Sequence, residues 1–329
     1  MNRNIFSVVL CVLLLELTFS AEAQQPAKVS RIGYLSGTGG PNTPGLQDNA
    51  FRRGLRDLGY IEGKNILVEY RSAAVSGERL LSLVAELMQL KVDVLVVTVL
   101  AGIRAAKQAS STVPIVMVTT ADPVATGLVD SLARPGGNIT GLTLLTRELN
   151  GKRLELLKEV VPALSRVGVL WNADNSSAAS AIKEYEAAAS ALKIQLQSSE
   201  VRGPNPDLEG AFQGAAKGRA SALITVRDAL LLRYQKQIAD LAIKNRLPSM
   251  YEGSQYVEAG GLMSYASIDA ENYRRAAYYV DRILKGTKPA DLPIEQPTKF
   301  ELMINLKTAK ALGLTIPPIV MMRADRVIR

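Results

Sequence analysis

The chain has 329 residues, of which 47% are hydrophobic and 5% aromatic, and its formal net charge at pH 7 is +8. It contains no histidine and a single cysteine, Cys11, which excludes His-dependent catalytic triads, ordinary zinc sites and an intramolecular disulfide. Lysine and arginine are interleaved with glutamate and form no basic block with aromatic residues, so we expect no nucleic-acid partner.

Residues 1–23 have the pattern of a secretory signal peptide. Arg3 gives a positive start, residues 5–19 form an apolar run, and the segment Ala-Glu-Ala ending at Ala23 is a small-residue cleavage site. The run is shorter than the roughly 20 apolar residues that a membrane span needs, and Glu16 interrupts it. The sequence therefore predicts a periplasmic protein that is cleaved near Ala23. The mature chain then has no cysteine, and its net charge is +9 because the removed segment has one positive and two negative charges.

A glycine-rich stretch follows the first predicted strand, residues 31–35. Its Ser-Gly-Thr-Gly-Gly sequence is similar to a dinucleotide-binding fingerprint, which must lead directly into a helix. Pro41 and Pro44 separate it from the next helical pattern and favour a longer loop. We interpret this loop as the rim of a binding cleft, whose amides contact a ligand, or as a simple tight turn.

Apolar runs rich in β-branched residues alternate with amphipathic patterns along the rest of the chain. The runs predict buried strands over residues 92–100, 114–122, 166–172, 221–226 and 247–252. The amphipathic patterns predict helices over residues 49–58, 78–90, 177–192, 208–217, 229–245 and 271–284. This alternation predicts an α/β fold with doubly wound parallel sheets.

The strand and helix pattern occurs twice, which predicts two lobes. An apolar strand gives way to a charged helix near residues 142–150, and a proline-rich connection follows the helix at 271–284. We expect three crossings between the lobes and a hinge. The predicted boundaries are residues 28–144 plus 268–291 for the N-terminal lobe and 145–267 plus 292–329 for the C-terminal lobe.

Several motifs occur in the order found in one known family. They include RIGYLS at residues 31–36, DPVATGLVDSLARPGGNITG at 122–141 and NLKTAKALGLTIP at 305–317. Over nearly the whole mature chain, the sequence resembles the substrate-binding proteins of ABC transporters in the TrpX-like ABC_sub_bind family. The resemblance implies a type I periplasmic binding protein, with a small-molecule ligand between two lobes and an ABC permease as partner. It also implies an aromatic amino acid as one possible ligand.

Ligands of open parallel sheets bind outside the carboxyl ends of the strands. This rule selects residues at the ends of the predicted strands: Ser36, Gly37, Thr98, Ala101, Thr120 and Asp122 in the first lobe, and Asn172, Asp228, Glu252 and Tyr265 in the second.

The expected roles of these residues have alternatives. Asp228, which resembles an acidic residue of the family's cleft, is our first choice for a ligand ammonium group; it is otherwise a helix cap or the ion-pair partner of Arg227. Asp122 is a second ammonium ligand or a local cap before Pro123. The Thr98 hydroxyl binds a carboxylate or caps a helix.

The expected function is capture of a small solute for an ABC uptake transporter, with a zwitterionic amino acid as the expected ligand class. We expect a monomer with no cofactor, no metal and no catalytic step. One alternative is a ligand-sensing periplasmic module for a receptor. The other is an exported enzyme that uses Asp122 and Asp228 as acid and base.

Overall fold

The computed structural model describes residues 29–37, 44–72, 79–144, 147–175 and 178–329. The predicted signal peptide and residues 38–43 of the glycine-rich loop lie outside these ranges. Within the described ranges, no helix has the length and hydropathy that a membrane span requires.

Strands and helices alternate over most of the described chain. The strands are β1 (Ser30–Ser36), β2 (Ile66–Ser72), β3 (Val94–Val97), β4 (Ile115–Thr119), β5 (Ile139–Thr143), β6 (Arg166–Asn172), β7 (Gln195–Val201), β8 (Ala222–Thr225), β9 (Ser249–Tyr251), β10 (Met263–Ser267), β11 (Phe300–Asn305) and β12 (Arg326–Ile328). The α-helices are α1 (Leu46–Asp57), α2 (Leu80–Gln89), α3 (Leu100–Ala109), α4 (Arg147–Val160), α5 (Ala178–Ala191), α6 (Leu208–Lys217), α7 (Ala229–Arg233), α8 (Gln235–Lys244), α9 (Ser254–Glu258), α10 (Asp269–Leu284), α11 (Leu306–Ala311) and α12 (Pro318–Met321).

The first lobe contains a parallel sheet of five strands in the order β2-β1-β3-β4-β5. Leu87 and Ile103, from α2 and α3, pack in the core on one face of this sheet. Phe51 of α1 and Val280 of α10 pack in the core on the other face. Because both faces are covered, the inner strands β3 and β4 are fully buried and consist largely of Val, Ile and Leu.

The second lobe contains a sheet of seven strands in the order β12-β11-β10-β9-β8-β6-β7. Strands β10 and β11 pair antiparallel, and the other neighbours pair parallel. Leu157 of α4 and Tyr185 of α5 belong to one core cluster of this lobe, and Phe212 of α6 and Ile238 of α8 belong to the other. Each lobe therefore has its own sheet and its own core.

Helix α10 follows β10 of the second sheet but packs on α1 in the first lobe. The two helices approach closely at Gly54, where an added Cβ would lie 2.9 Å from the Arg274 Cα and 2.8 Å from the Ala277 Cβ. A glycine at this position therefore permits α10 to pack closely on α1 in the first lobe.

The chain crosses between the lobes after β5, after β10 and again before β11. The last crossing lies beyond the predicted boundary at residue 291. The Ile294 N–H donates to the Leu132 carbonyl at 2.7 Å, and the Glu295 N–H donates to the Gly141 carbonyl at 3.0 Å. Residues as far as Glu295 therefore still bond to the first lobe.

The predicted α/β fold with two sheets is confirmed, with two local differences. The segment predicted as one helix over residues 229–245 forms α7 and α8, which are separated at Tyr234. The C-terminal tail also supplies β11 as an antiparallel strand, so the second sheet is mixed.

Candidate functional site: a cavity between the lobes

A cavity of about 460 Å³ lies between the two lobes, outside the carboxyl ends of strands from both sheets. The first lobe contributes apolar side chains to its wall, among them Leu80, Leu81, Val99, Leu100 and Leu144. The second lobe contributes mostly polar groups, among them Asn172, Asn175, Arg227, Asp228 and Glu252. Both lobes therefore contribute to the wall, and most of its leucine and valine side chains come from the first lobe.

Most of the residues selected by the strand-end rule line this cavity together. They are Gly37, Thr98, Ala101, Thr120, Asn172, Asp228 and Glu252. Ser36, Asp122 and Tyr265 are not in the cavity wall.

Two of these three residues are engaged by local bonds. Ser36 is buried, and its hydroxyl donates to the Asp48 carboxylate at 2.9 Å. One carboxylate oxygen of Asp122 accepts from the backbone N–H groups of Val124 at 2.9 Å and Ala125 at 3.0 Å. Asp122 therefore makes the local cap that was the alternative interpretation, and it is not opposite Asp228 in the cavity as an acid and base pair would require.

Tyr265 lies on β10 and packs within the second lobe. Its ring centroid is 6.2 Å from that of Phe300, and its backbone carbonyl accepts from the Arg153 guanidinium at 2.8 Å. Ordinary packing, the alternative to stacking on a ligand, accounts for this side chain.

Gly37 and Thr98 bond to each other at the edge of the cavity. The Gly37 N–H donates to the Thr98 hydroxyl oxygen at 3.0 Å. Gly37 also faces the second lobe, since a Cβ added to it would lie 3.3 Å from the Ala229 Cβ and 2.5 Å from the Val99 Cγ1. The lobes therefore approach each other at a residue that has no side chain.

Asp228 both caps a helix and lines the cavity. Its Oδ1 accepts from the Leu230 N–H at 2.7 Å and from the Asn172 side-chain amide at 3.2 Å, while Oδ2 accepts from the Asn175 amide at 2.8 Å. Within the described ranges, no cationic side chain pairs with it. The negative charge of this half-buried carboxylate is therefore balanced only by neutral donors.

Arg227, the expected alternative partner of Asp228, pairs instead with Asp269. Its Nη2 lies 2.7 Å from both carboxylate oxygens of Asp269, which also accepts from Gln47 at 3.1 Å and from Gln255 at 2.8 Å. Burial alone would raise the pKa of Asp269, but the Arg227 charge and these hydrogen bonds lower it. Because Asp269 begins α10, this pair joins the second lobe to the first at a crossing point.

Glu252 lines the cavity, and its charge is compensated by Arg153. Arg153, whose side chain is 2% exposed, has its Nη1 at 3.4 Å from the Glu252 carboxylate, and the Tyr185 hydroxyl donates to the same oxygen at 2.6 Å. Burial would lower the pKa of Arg153, but the nearby Glu252 charge raises it. Glu252 is therefore a structural anion more than a free ligand group.

Two polar side chains of α3 also line the cavity and were not selected from the sequence. Arg104 and Gln108 are exposed and lie one turn apart on the helix that begins after Thr98. The strand-end rule stops at the first turn of a helix and does not reach them. Arg104 has no ionic or hydrogen-bonding partner in the part of the chain that the structure describes.

Comparison with known proteins identifies the family. The sequence profile described as ABC transporter substrate binding protein matches residues 44–328. A "Tyrosine-binding protein" of Clostridioides difficile is 26% identical over 266 residues, which cover 80% of this chain and 75% of that protein. The chain belongs to the ABC transporter substrate-binding proteins.

Solved structures share the fold of this chain. A conserved domain protein from Vibrio cholerae is 27% identical, with a TM-score of 0.82 over 91% of this chain and 100% of its own. An ABC domain from Streptococcus pneumoniae in complex with L-Trp is 22% identical, with a TM-score of 0.81 over 91% of this chain and 99% of its own. The fold is that of the two-lobed binding proteins.

Proposed function

We propose that this protein is the extracytoplasmic solute-binding component of an ABC uptake transporter, and that its ligand is a small zwitterionic amino acid. The observation that carries the proposal is the half-buried carboxylate of Asp228, which lines the inter-lobe cavity without a cationic partner among the described residues. A ligand ammonium group would supply the missing charge, and a charged hydrogen bond of this kind is worth about 1.5–3 kcal/mol.

The apolar part of the cavity wall supports a ligand with a large apolar or aromatic side chain. Leu80, Leu144 and Leu232 lie in this wall, and the cavity of about 460 Å³ is within the size range of small-molecule sites. The names of two similar proteins favour an aromatic amino acid as well. One is a tyrosine-binding protein, and the other is an ABC domain in complex with L-Trp.

The arrangement of the two lobes supports capture by closure. Both lobes line the cavity, and they approach each other at Gly37 and Ala229. A ligand that bonds to both lobes stabilises the closed arrangement by its higher affinity for that state. We infer no chemical step, because Asp122 is outside the cavity and Glu252 is paired with Arg153.

The N-terminal sequence supports export. Residues 1–23 have the pattern of a cleaved signal peptide, and a periplasmic binding protein must reach that compartment to deliver its ligand to a permease. Mass spectrometry of the protein from a periplasmic extract should give a chain that begins at Gln24. A chain retained in the cytoplasm with residues 1–23 intact would contradict this part of the proposal.

Thermal unfolding with a panel of amino acids, purines, sugars and organic acids tests the ligand class. An amino acid that binds should raise the unfolding temperature by mass action. Asp228→Asn should abolish most of this shift and leave the unliganded protein nearly as stable, because asparagine also caps helices. Asp240→Asn, which alters an exposed pair with Lys236, is the matched control and should leave the shift unchanged. Stabilisation by sugars or purines alone would contradict the proposal.

A further inference from the structure

We propose that Arg104, in the first lobe, binds the anionic group of the ligand, while Asp228, in the second lobe, binds its ammonium group. This inference rests on the proposed function and extends it, because it identifies a second ligand-binding residue and a requirement on the ligand. It follows from the charges of the cavity wall, from their partners and from the lobes to which they belong.

The charged side chains of the described cavity wall are Arg104, Asp174, Arg227, Asp228 and Glu252. Three of them have partners of opposite charge within the protein.

The pairings of these three residues differ in detail. Arg227 bonds to Asp269 at 2.7 Å, and Glu252 lies 3.4 Å from Arg153. The Asp174 carboxylate lies 3.4 Å from the Arg202 guanidinium and also accepts from the Gly203 N–H at 2.7 Å. These charges are compensated without a ligand.

Two opposite charges remain in the wall, namely the Arg104 guanidinium and the Asp228 carboxylate. Arg104 lies on α3 of the first lobe, and Asp228 begins α7 of the second. Neither has a partner of opposite charge within the described ranges. A zwitterionic ligand would compensate both charges and would join one lobe to the other.

The local structure around Arg104 favours an anion. Val99, at the start of α3, makes no side-chain cap, and Leu100 and Ala101 of the first turn line the cavity with Arg104. The uncapped N–H groups of the first turn add positive potential to that of the guanidinium. The planar guanidinium can also form two parallel hydrogen bonds to a carboxylate.

This arrangement sets a requirement on the ligand. A molecule with both an ammonium and a carboxylate group satisfies both lobes. An amide of the same amino acid retains the ammonium group but loses the anion, and a deaminated acid retains only the anion. We therefore expect Arg104 to discriminate against amides, and Asp228 against deaminated acids.

The test uses isothermal titration of the purified protein with L-tyrosine, L-tyrosinamide and 3-(4-hydroxyphenyl)propionate, and with the matching three compounds derived from L-tryptophan. Arg104→Gln should weaken binding of the free amino acid about tenfold or more and change binding of the amide little. Arg104→Lys should give an intermediate loss. Arg53→Gln removes an exposed charge from α1 outside the cavity wall and should have no effect.

The outcomes separate this inference from the proposed function. In one outcome, the wild-type protein binds the amino acid while Arg104→Gln weakens binding of the free amino acid and of its amide equally. In that case Arg104 is not the anion site, although the amino-acid function stands. If the wild type binds only an organic acid and loses it in Arg104→Gln, the anion site stands and the amino-acid assignment fails. Binding of uncharged solutes alone would overturn both.

Discussion

The Nη2 of Arg227 lies 2.7 Å from each carboxylate oxygen of Asp269, and this pair links the cavity to a crossing between the lobes. Arg227 lines the cavity in the second lobe, while Asp269 starts the helix that packs on the first. Gln47 of the first lobe and Gln255 of the second donate to the same Asp269 oxygen. The Asp269 carboxylate therefore accepts hydrogen bonds from side chains of both lobes.

Asp269→Asn should lower the free energy of unfolding by about 2–3 kcal/mol, because it removes the counter-ion of the Arg227 side chain, which is only 18% exposed. Urea denaturation measures this difference. Asp240→Asn is the control, since Asp240 and Lys236 form an exposed i,i+4 pair worth less than about 1 kcal/mol. Equal losses in the two variants would show that the half-buried Arg227–Asp269 pair contributes no more than a surface pair.

The same pair should make stability depend on pH. Since Arg227 and the hydrogen bonds lower the pKa of Asp269 in the folded state, its contribution is complete above the ordinary aspartate pKa of about 4. The contribution is lost as pH falls through the lower folded-state pKa. The stability difference between wild type and Asp269→Asn should therefore be constant near neutral pH and shrink below about pH 4. Thermal unfolding between pH 2 and pH 7 measures it, and a difference that grows in acid would be inconsistent with this assignment.

Removing the charge of Glu252 should lower stability, whereas removing the charge of Asp228 should weaken ligand binding. Glu252→Gln leaves Arg153 buried without its counter-ion, so we expect unfolding to become easier by about 3 kcal/mol or more. Asp228→Asn should instead weaken ligand binding with a stability change below about 1 kcal/mol, because the helix cap is retained. Denaturation and titration of both variants separate the two roles. A larger stability loss in Asp228→Asn than in Glu252→Gln would reverse the assignment.

Gly37 should be required for the lobes to come together. In Gly37→Ala the new methyl group would lie 2.5 Å from the Val99 Cγ1 and 3.3 Å from the Ala229 Cβ, so we expect ligand affinity to fall about tenfold. Small-angle scattering should then show a less compact protein at a given ligand concentration. Gly214→Ala is the control, because nothing lies within 4 Å of the position that its Cβ would take, and it should bind normally. Unchanged affinity in Gly37→Ala would mean that the lobes do not close at this point.

Much of the fold follows from local patterns in the sequence. The predicted strand over residues 166–172 and the predicted helix over residues 208–217 have the observed bounds, because a strand buried on both faces gives a short continuous apolar run and an amphipathic helix gives apolar residues three and four positions apart. The break at Tyr234 was missed because the apolar period continues through it. The antiparallel pairing of β11 depends on a tertiary contact with β10 and has no local signal.

The site was only partly predictable for the same reason. Strand ends identify Thr98 in the first lobe and Asn172 and Asp228 in the second, because the carboxyl ends of parallel strands lie at one edge of each sheet and these edges line the cavity. The partners of charged residues depend on contacts between distant segments, as Arg227 and Asp269 are separated by 42 positions. The charges that remain unpaired in the cavity wall can be identified only once these partners are known. The proposed role of Arg104 therefore depends on the structure.

Titration calorimetry of the purified protein with L-tyrosine and L-tryptophan tests the central claim most directly. We predict saturable binding of one of these amino acids at one site per chain, lost in Asp228→Asn and retained in Asp240→Asn. If neither these two nor any other amino acid binds, or if Asp228→Asn binds as tightly as the wild type, the cavity between the lobes is not the amino-acid site described above.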